Sequence, residues 1–149
     1  MKKFLVTFYD GPNSSNQAQE VIDAIDTDNA FSKAYKSYNA QRYSSVSVEE
    51  LTYLDKTNGK FFVQFEVERD VKYASGIRLV GDRKIMLALA PTIRDAKVWY
   101  MNHKCNTEET TENGAKIYWL GIKDAYIMGG SYEWLSNREH IKIGEESIS

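Results

Sequence analysis

The chain has a single cysteine, Cys105, among 149 residues. One thiol excludes an intrachain disulfide framework and cannot by itself build a cysteine zinc site. Proline is scarce too, with two residues, so proline-rich linkers are absent. The longest unbroken apolar run is Ile85 to Ala90, six residues. A membrane-spanning helix needs about 20. There is no excess of either charge: 19 basic and 21 acidic side chains give a net of −2. Nucleic-acid binders usually carry a basic surplus, because phosphate neutralisation supplies much of their affinity. Residues 1–70 hold 8 basic and 11 acidic groups, residues 71–149 hold 11 and 10, so neither part is a polycation.

The familiar catalytic and phosphate-binding patterns are missing as well. No G-x-x-x-x-G-K, G-x-G-x-x-G or G-x-S-x-G occurs. Asp26-Thr27-Asp28-Asn29 opens like a calcium loop, but Phe31 replaces the required glycine and Ser37 the closing acid. Helix capping explains these acids better. His103-Lys104-Cys105 is the one place where imidazole and thiol are close in sequence. Without an orienting third group, it reads as a surface histidine and an incidental thiol. No catalytic residue, metal site or cofactor is assigned, and the protein is read as a non-enzyme. Lys2 and Lys3 precede an apolar stretch too short for a secretory signal, so the expected location is the cytoplasm. Asn13-Ser14-Ser15 fits a glycosylation sequon that has no meaning without secretion.

What the chain does have is hydrophobic patterning. Lys3–Tyr9 and Lys60–Arg69 alternate as strands, and Gln19–Asp26 suits a second strand. Gly11 to Asn16 is a run of turn formers. Thr27-Asp28 offers a cap for a helix from about Asp28 to Asn39. Phe31, Ala34, Tyr35 and Tyr38 form its expected core stripe. Ser45–Leu54 has a strand-like pattern, and Asn58-Gly59 suits a turn with positive φ. Further on, Gly76–Val80 and Arg83–Ala90 read as strands joined by a Gly81-Asp82 hairpin turn. Thr92 and Asp95 fit a capping box, yet 93–102 suits helix or strand. Asn106–Gly114 reads as a mobile acidic loop. Lys116–Ile122 and Ala125–Met128 suit strands, Ser131–Arg138 a helical turn, and His140–Ile143 a last strand before a fraying tail.

The expected fold is α+β, mostly antiparallel strands with one or two short helices. Residues 1–70 read as a ββαββ half and 71–149 as a second α+β half. Two loosely similar ββα-containing halves are one reading and chance reuse of hairpins and caps the other; one compact unit is expected.

Aromatic residues reach 13%, with ten Tyr, six Phe and three Trp. Tyr and Trp suit interfaces because they bury large area yet keep a polar handle. The densest basic-aromatic stretch holds Lys33, Tyr35, Lys36, Tyr38, Arg42 and Tyr43. Most of its rings are expected in the core. Candidate binding residues are Lys33, Lys36, Arg42, Tyr43, Arg94, Lys97, Trp99 and Trp134. The leading expectation is a protein that binds another protein, or itself, through an aromatic-rich surface. Nucleic-acid binding through the basic-aromatic stretch is one alternative. A nucleotide or metabolite pocket between the halves is another. No membrane partner is expected. In composition alone the chain resembles accessory proteins of bacteriophages, which implies no role for any residue.

Overall fold

The computed structural model describes residues 1–11 and 17–144. The expected loop over Pro12–Asn16, with its sequon, and the tail beyond Gly144 lie outside the described residues. The architecture is α+β. Contacts gather into two units: Met1–Asn58 with Gly129–Leu135, and Gly59–Met128 with Ser136–Ser149.

In the first unit, β1 (Lys2–Tyr9) is the central strand of a three-stranded antiparallel sheet. Its neighbours are β2 (Gln17–Ala24) and β3 (Ser45–Glu50). Its alternation buries Phe4, Val6 and Phe8 almost completely. Helix α1 spans Thr27–Tyr35. Its cap is Asp26, not the expected Thr27 or Asp28. The Asp26 carboxylate accepts from the Asn29 N–H at 2.8 Å, and the Asn29 side-chain oxygen accepts from the Ile25 N–H at 3.1 Å. This exchange satisfies two backbone donors at the helix start.

The expected core stripe is also corrected. Ala30 and Ala34 face the sheet, whereas Tyr35 and Tyr38 are 65% and 70% exposed. Alanines at this spacing let the helix backbone lie close to Phe4, Val6 and Phe8, leaving no room for a ring. The helix also ends before Tyr38. The Glu20 carboxylate accepts from Ser37 Oγ at 2.6 Å and from Asn39 Nδ2 at 3.2 Å. Ser37 then caps a separate 3-10 turn, Tyr38–Gln41. The strand expected over Ser45–Leu54 stops at Glu50, and a second 3-10 turn, Thr52–Asp55, buries Tyr53. The Glu49 carboxylate lies against Gly129, where a Cβ would sit 1.9 Å from one of its oxygens and would displace the side chain. The neighbouring Gly130 N–H donates to that carboxylate at 3.0 Å.

The second unit is built on β4 (Phe61–Lys72), preceded by Asn58 and Gly59 with the expected positive φ. Residue 70, the boundary suggested by the sequence, lies within β4. The strand pairs with β5 (Arg78–Ala90) and β7 (Lys116–Ile127). Short strands β6 (Glu108–Thr110) and β8 (Ile141–Lys142) complete the order β6-β7-β4-β5-β8, with only β8 parallel to its neighbour. Gly81-Asp82 is not a hairpin turn, because β5 runs through it. The Asp70 carboxylate accepts from the Gly81 N–H at 2.9 Å and Arg69 meets Asp82 at 2.8 Å. Together they hold a register shift opposite Asp70. The turn lies at Tyr73–Ile77, closed by Tyr73 N–H to Ile77 C=O at 2.8 Å. Strand β7 is likewise continuous across the two segments expected to be separate.

Residues Ile93–His103 form α2, settling the helix-or-strand ambiguity. The Asp95 N–H donates to Thr92 Oγ1 at 3.0 Å, as a capping box requires. The helix buries Ala96 and Tyr100 against Val63, Phe65, Val67 and Trp119. The Tyr100 hydroxyl donates to the Leu120 carbonyl. Burial, aided by the nearby Cys105, pushes its pKa up to about 12, so it stays a donor through the neutral range.

Asn106–Gly114 is exposed as expected, apart from half-buried Thr111, but it is not a free loop. Strand β6 within it pairs with β7, and Thr111 N–H donates to Ala115 C=O at 2.8 Å. The pairing is between backbones, so polar side chains gave no sign of it. No helix among the described residues is long and apolar enough to cross a membrane.

Candidate functional site

The early end of α1 creates the most distinctive aromatic surface of the first unit. Tyr35 sits on the last turn of the helix and Tyr38 opens the next 3-10 turn. Arg42 follows that turn and places its guanidinium carbon 5.7 Å from the centre of the Tyr38 ring. This is within the range of a cation–π contact. The Tyr35 ring lies 6.3 Å from that of Phe31, nearly parallel at 25°. Tyr43 is half-buried, with its ring 6.4 Å from that of Phe8. Beside Tyr35 and Tyr43 lies a cavity of about 360 Å³ whose lining also includes Phe8 and Tyr9. The loop bounding it is tied down by Asp10, whose carboxylate accepts from the Ser44 N–H at 2.9 Å.

The predicted lysines divide. Lys33 Nζ donates to the Asp23 carbonyl at 2.6 Å, which draws it onto the end of β2. Lys36 caps the helix C-terminus, is exposed, and has no side-chain partner among the described residues. Thus Lys36, Arg42 and Tyr43 fall with the exposed tyrosines, while Lys33 is committed elsewhere.

The other predicted residues are not gathered here. Arg94 and Lys97 are exposed on α2, in the second unit. Trp99 is half-buried against the core of that unit, and its indole N–H is buried with no hydrogen-bond partner among the described residues. Its ring stacks on His103 at 4.9 Å, and His103 Nδ1 lies 2.9 Å from the Trp99 carbonyl. Trp134 is 55% exposed on α3 (Tyr132–Ser136) of the first unit.

Within the second unit, His103 is committed to Trp99 and half-buried Cys105 packs against the core. Lys104 reaches Glu109 at 3.5 Å and lies over the Trp119 ring at 4.9 Å. Among the described residues no group of three His, Cys, Asp or Glu side chains stands ready to hold a metal ion.

Sequence reasoning named Tyr35 and Tyr38 but placed them on the wrong side of the helix. The usable signal was Ala30 and Ala34, an i, i+4 pair that competes with the tyrosine stripe for the sheet. Comparison with known protein families, with curated proteins and with solved structures finds no match.

Proposed function

We propose that this chain is a binding protein that engages a protein partner through the Tyr35–Tyr38–Arg42 surface of its first unit. The carrying observation is the outward position of two tyrosines, 65% and 70% exposed, with Arg42 over one ring. Tyr and Arg are enriched among residues that dominate interface energetics. A tyrosine buries much area at little conformational cost and keeps a hydroxyl for one directed bond. The platform is held from behind: Glu20 secures Ser37 and Asn39, and Ala34 anchors the helix to the sheet. Preorganisation of this kind lowers the entropy lost on binding. The cavity beside Tyr35 and Tyr43 offers a recess for one partner side chain. The reading assigns no catalytic step.

The test is capture from nuclease-treated lysate, followed by titration of the purified captured protein. Wild type is compared with a Tyr35→Ala, Tyr38→Ala, Arg42→Ala variant checked for native circular dichroism. Each hot-spot truncation costs about 2 kcal/mol or more, so the triple variant is expected to lose over a hundredfold in affinity. Equal affinity of a folded triple variant would sink the reading. Capture that disappears with nuclease treatment and falls steeply with salt would replace it with nucleic-acid binding.

A further inference from the structure

On the outer face of the second unit's sheet, the strand register produces an arrangement that stability alone does not favour. Lys72 of β4 lies directly opposite Arg78 of β5 on one side and directly opposite Lys116 of β7 on the other. Directly paired residues project from the same face with Cβ atoms about 5 Å apart. Three cations therefore stand in a row across three neighbouring strands, spanning about 10 Å. Like charges in direct opposition destabilise a sheet.

Elsewhere on this face the sheet resolves the same problem. Arg83 meets Glu66 at 3.4 Å and Lys123 meets Glu68 at 2.8 Å. The three cations of the row are exposed and have no ion-pair or hydrogen-bond partner for their side chains among the described residues. They line a cavity of about 250 Å³ together with Asp70, Glu108 and Tyr118. Neither Asp70, which accepts from the Gly81 N–H through one carboxylate oxygen, nor Glu108 forms an ion pair with these cations among the described residues.

We propose that Lys72, Arg78 and Lys116 form a binding site for the phosphate group of a phosphate-bearing ligand. A carboxylate presents two oxygens, whereas a terminal phosphate presents three, enough for one from each cation. The arginine at one end of the row supplies a planar donor fork, and the two lysines beside it supply compact charges. Tyr118, 41% exposed at the cavity wall, offers a ring face to whatever the phosphate is attached to. The proposal concerns the second unit alone and does not depend on the tyrosine surface of the first.

Unfolding of the full chain is followed by heating in sodium pyrophosphate and in sodium chloride of the same ionic strength. Wild type is expected to gain more from pyrophosphate than from chloride. Lys72→Gln removes the central charge, so without phosphate it should melt above wild type. It should also lose the extra response to pyrophosphate. A residue with a merely structural role would not show this opposite pairing. Lys116→Gln, at one end of the row, gives a second variant and should behave the same way more weakly.

Direct titration then separates the sources of the phosphate. A nucleoside triphosphate that binds wild type about tenfold or more tightly than Lys72→Gln supports a free nucleotide. An oligothymidylate with that ratio and a steep salt dependence supports a single strand. If pyrophosphate acts only as chloride does, and neither titrant distinguishes wild type from both variants, the proposal is overturned.

Discussion

The two units repeat one chain path at two scales. In the first, β1 and β2 form a hairpin, α1 follows, and β3 returns antiparallel along the free side of β1. In the second, β4 and β5 form a hairpin, α2 follows, and β7 returns along the free side of β4. Each helix begins at a side-chain cap and turns alanine toward its sheet: Ala30 and Ala34 in α1, Ala96 with Tyr100 in α2. The scale differs. The strands of the first unit are 8, 8 and 6 residues long, those of the second 12, 13 and 12. Twelve strand residues extend about 40 Å, while the eleven of α2 rise only about 16 Å. In the first unit the aromatic end of the helix is left outside. The long sheet outruns its helix, and its bare end carries Tyr73, Ile77, Leu79 and Val80 beside the row of cations. One topology thus leaves different surfaces open in its two copies.

The strongest way to break this comparison is to fill the alanine contacts. Ala34→Leu and Ala96→Leu each force a larger side chain between helix and sheet, and each should cost about 1–3 kcal/mol in denaturant unfolding. Tyr35→Ala, one position from Ala34, should stay within about 0.5 kcal/mol because its ring is outside. If Tyr35→Ala were the costlier change, the helix would be facing the wrong way.

A smaller effect tests whether the helices start equivalently. Asp26→Ala and Thr92→Ala should each lose about 1 kcal/mol, since each removes the acceptor of a first-turn N–H. Thr27→Ala should change stability by a few tenths, because the cap is one residue earlier. Equilibrium unfolding of the three variants decides it.

The smallest effect is a matter of rate and concerns the strand that the second unit adds between helix and return strand. A glutamate-specific protease should cut at Glu112, in the turn, before Glu108 or Glu109, whose backbones pair with β7. First cleavage at Glu108 would show that β6 opens readily. First cleavage at Glu66 or Glu68 would contradict the central place of β4.

Much of this architecture was legible where a local pattern had no competitor. The aromatic alternation of Phe61 to Val67 corresponded to one structure, whereas the Thr92–Asp95 capping pair left 93–102 open between helix and strand until tertiary packing chose the helix. The reading failed where two local solutions were close in merit. Gly81-Asp82 has the composition of a hairpin turn, yet a longer ladder with β4 and the bond from Gly81 to Asp70 favour a bulge. The stripe through Tyr35 and Tyr38 has the right spacing for a core face, yet Ala30 and Ala34 permit a closer approach. For the candidate surface, the residue types near Tyr38 and Arg42 were readable, but not which way they point.

The sequence by itself determined the alternation within strands such as Phe61–Val67, the presence of a helix close after Asp26 and the supply of aromatic and charged side chains. These follow from periodicity and capping, which act between residues a few positions apart. Tertiary structure alone decided that Tyr35 and Tyr38 face outward and that Lys72, Arg78 and Lys116 stand in one row. Their order along the chain says nothing of it: residues 72, 78 and 116 become neighbours only through strand register. Register is set by the long-range ladder and by which faces the core can bury.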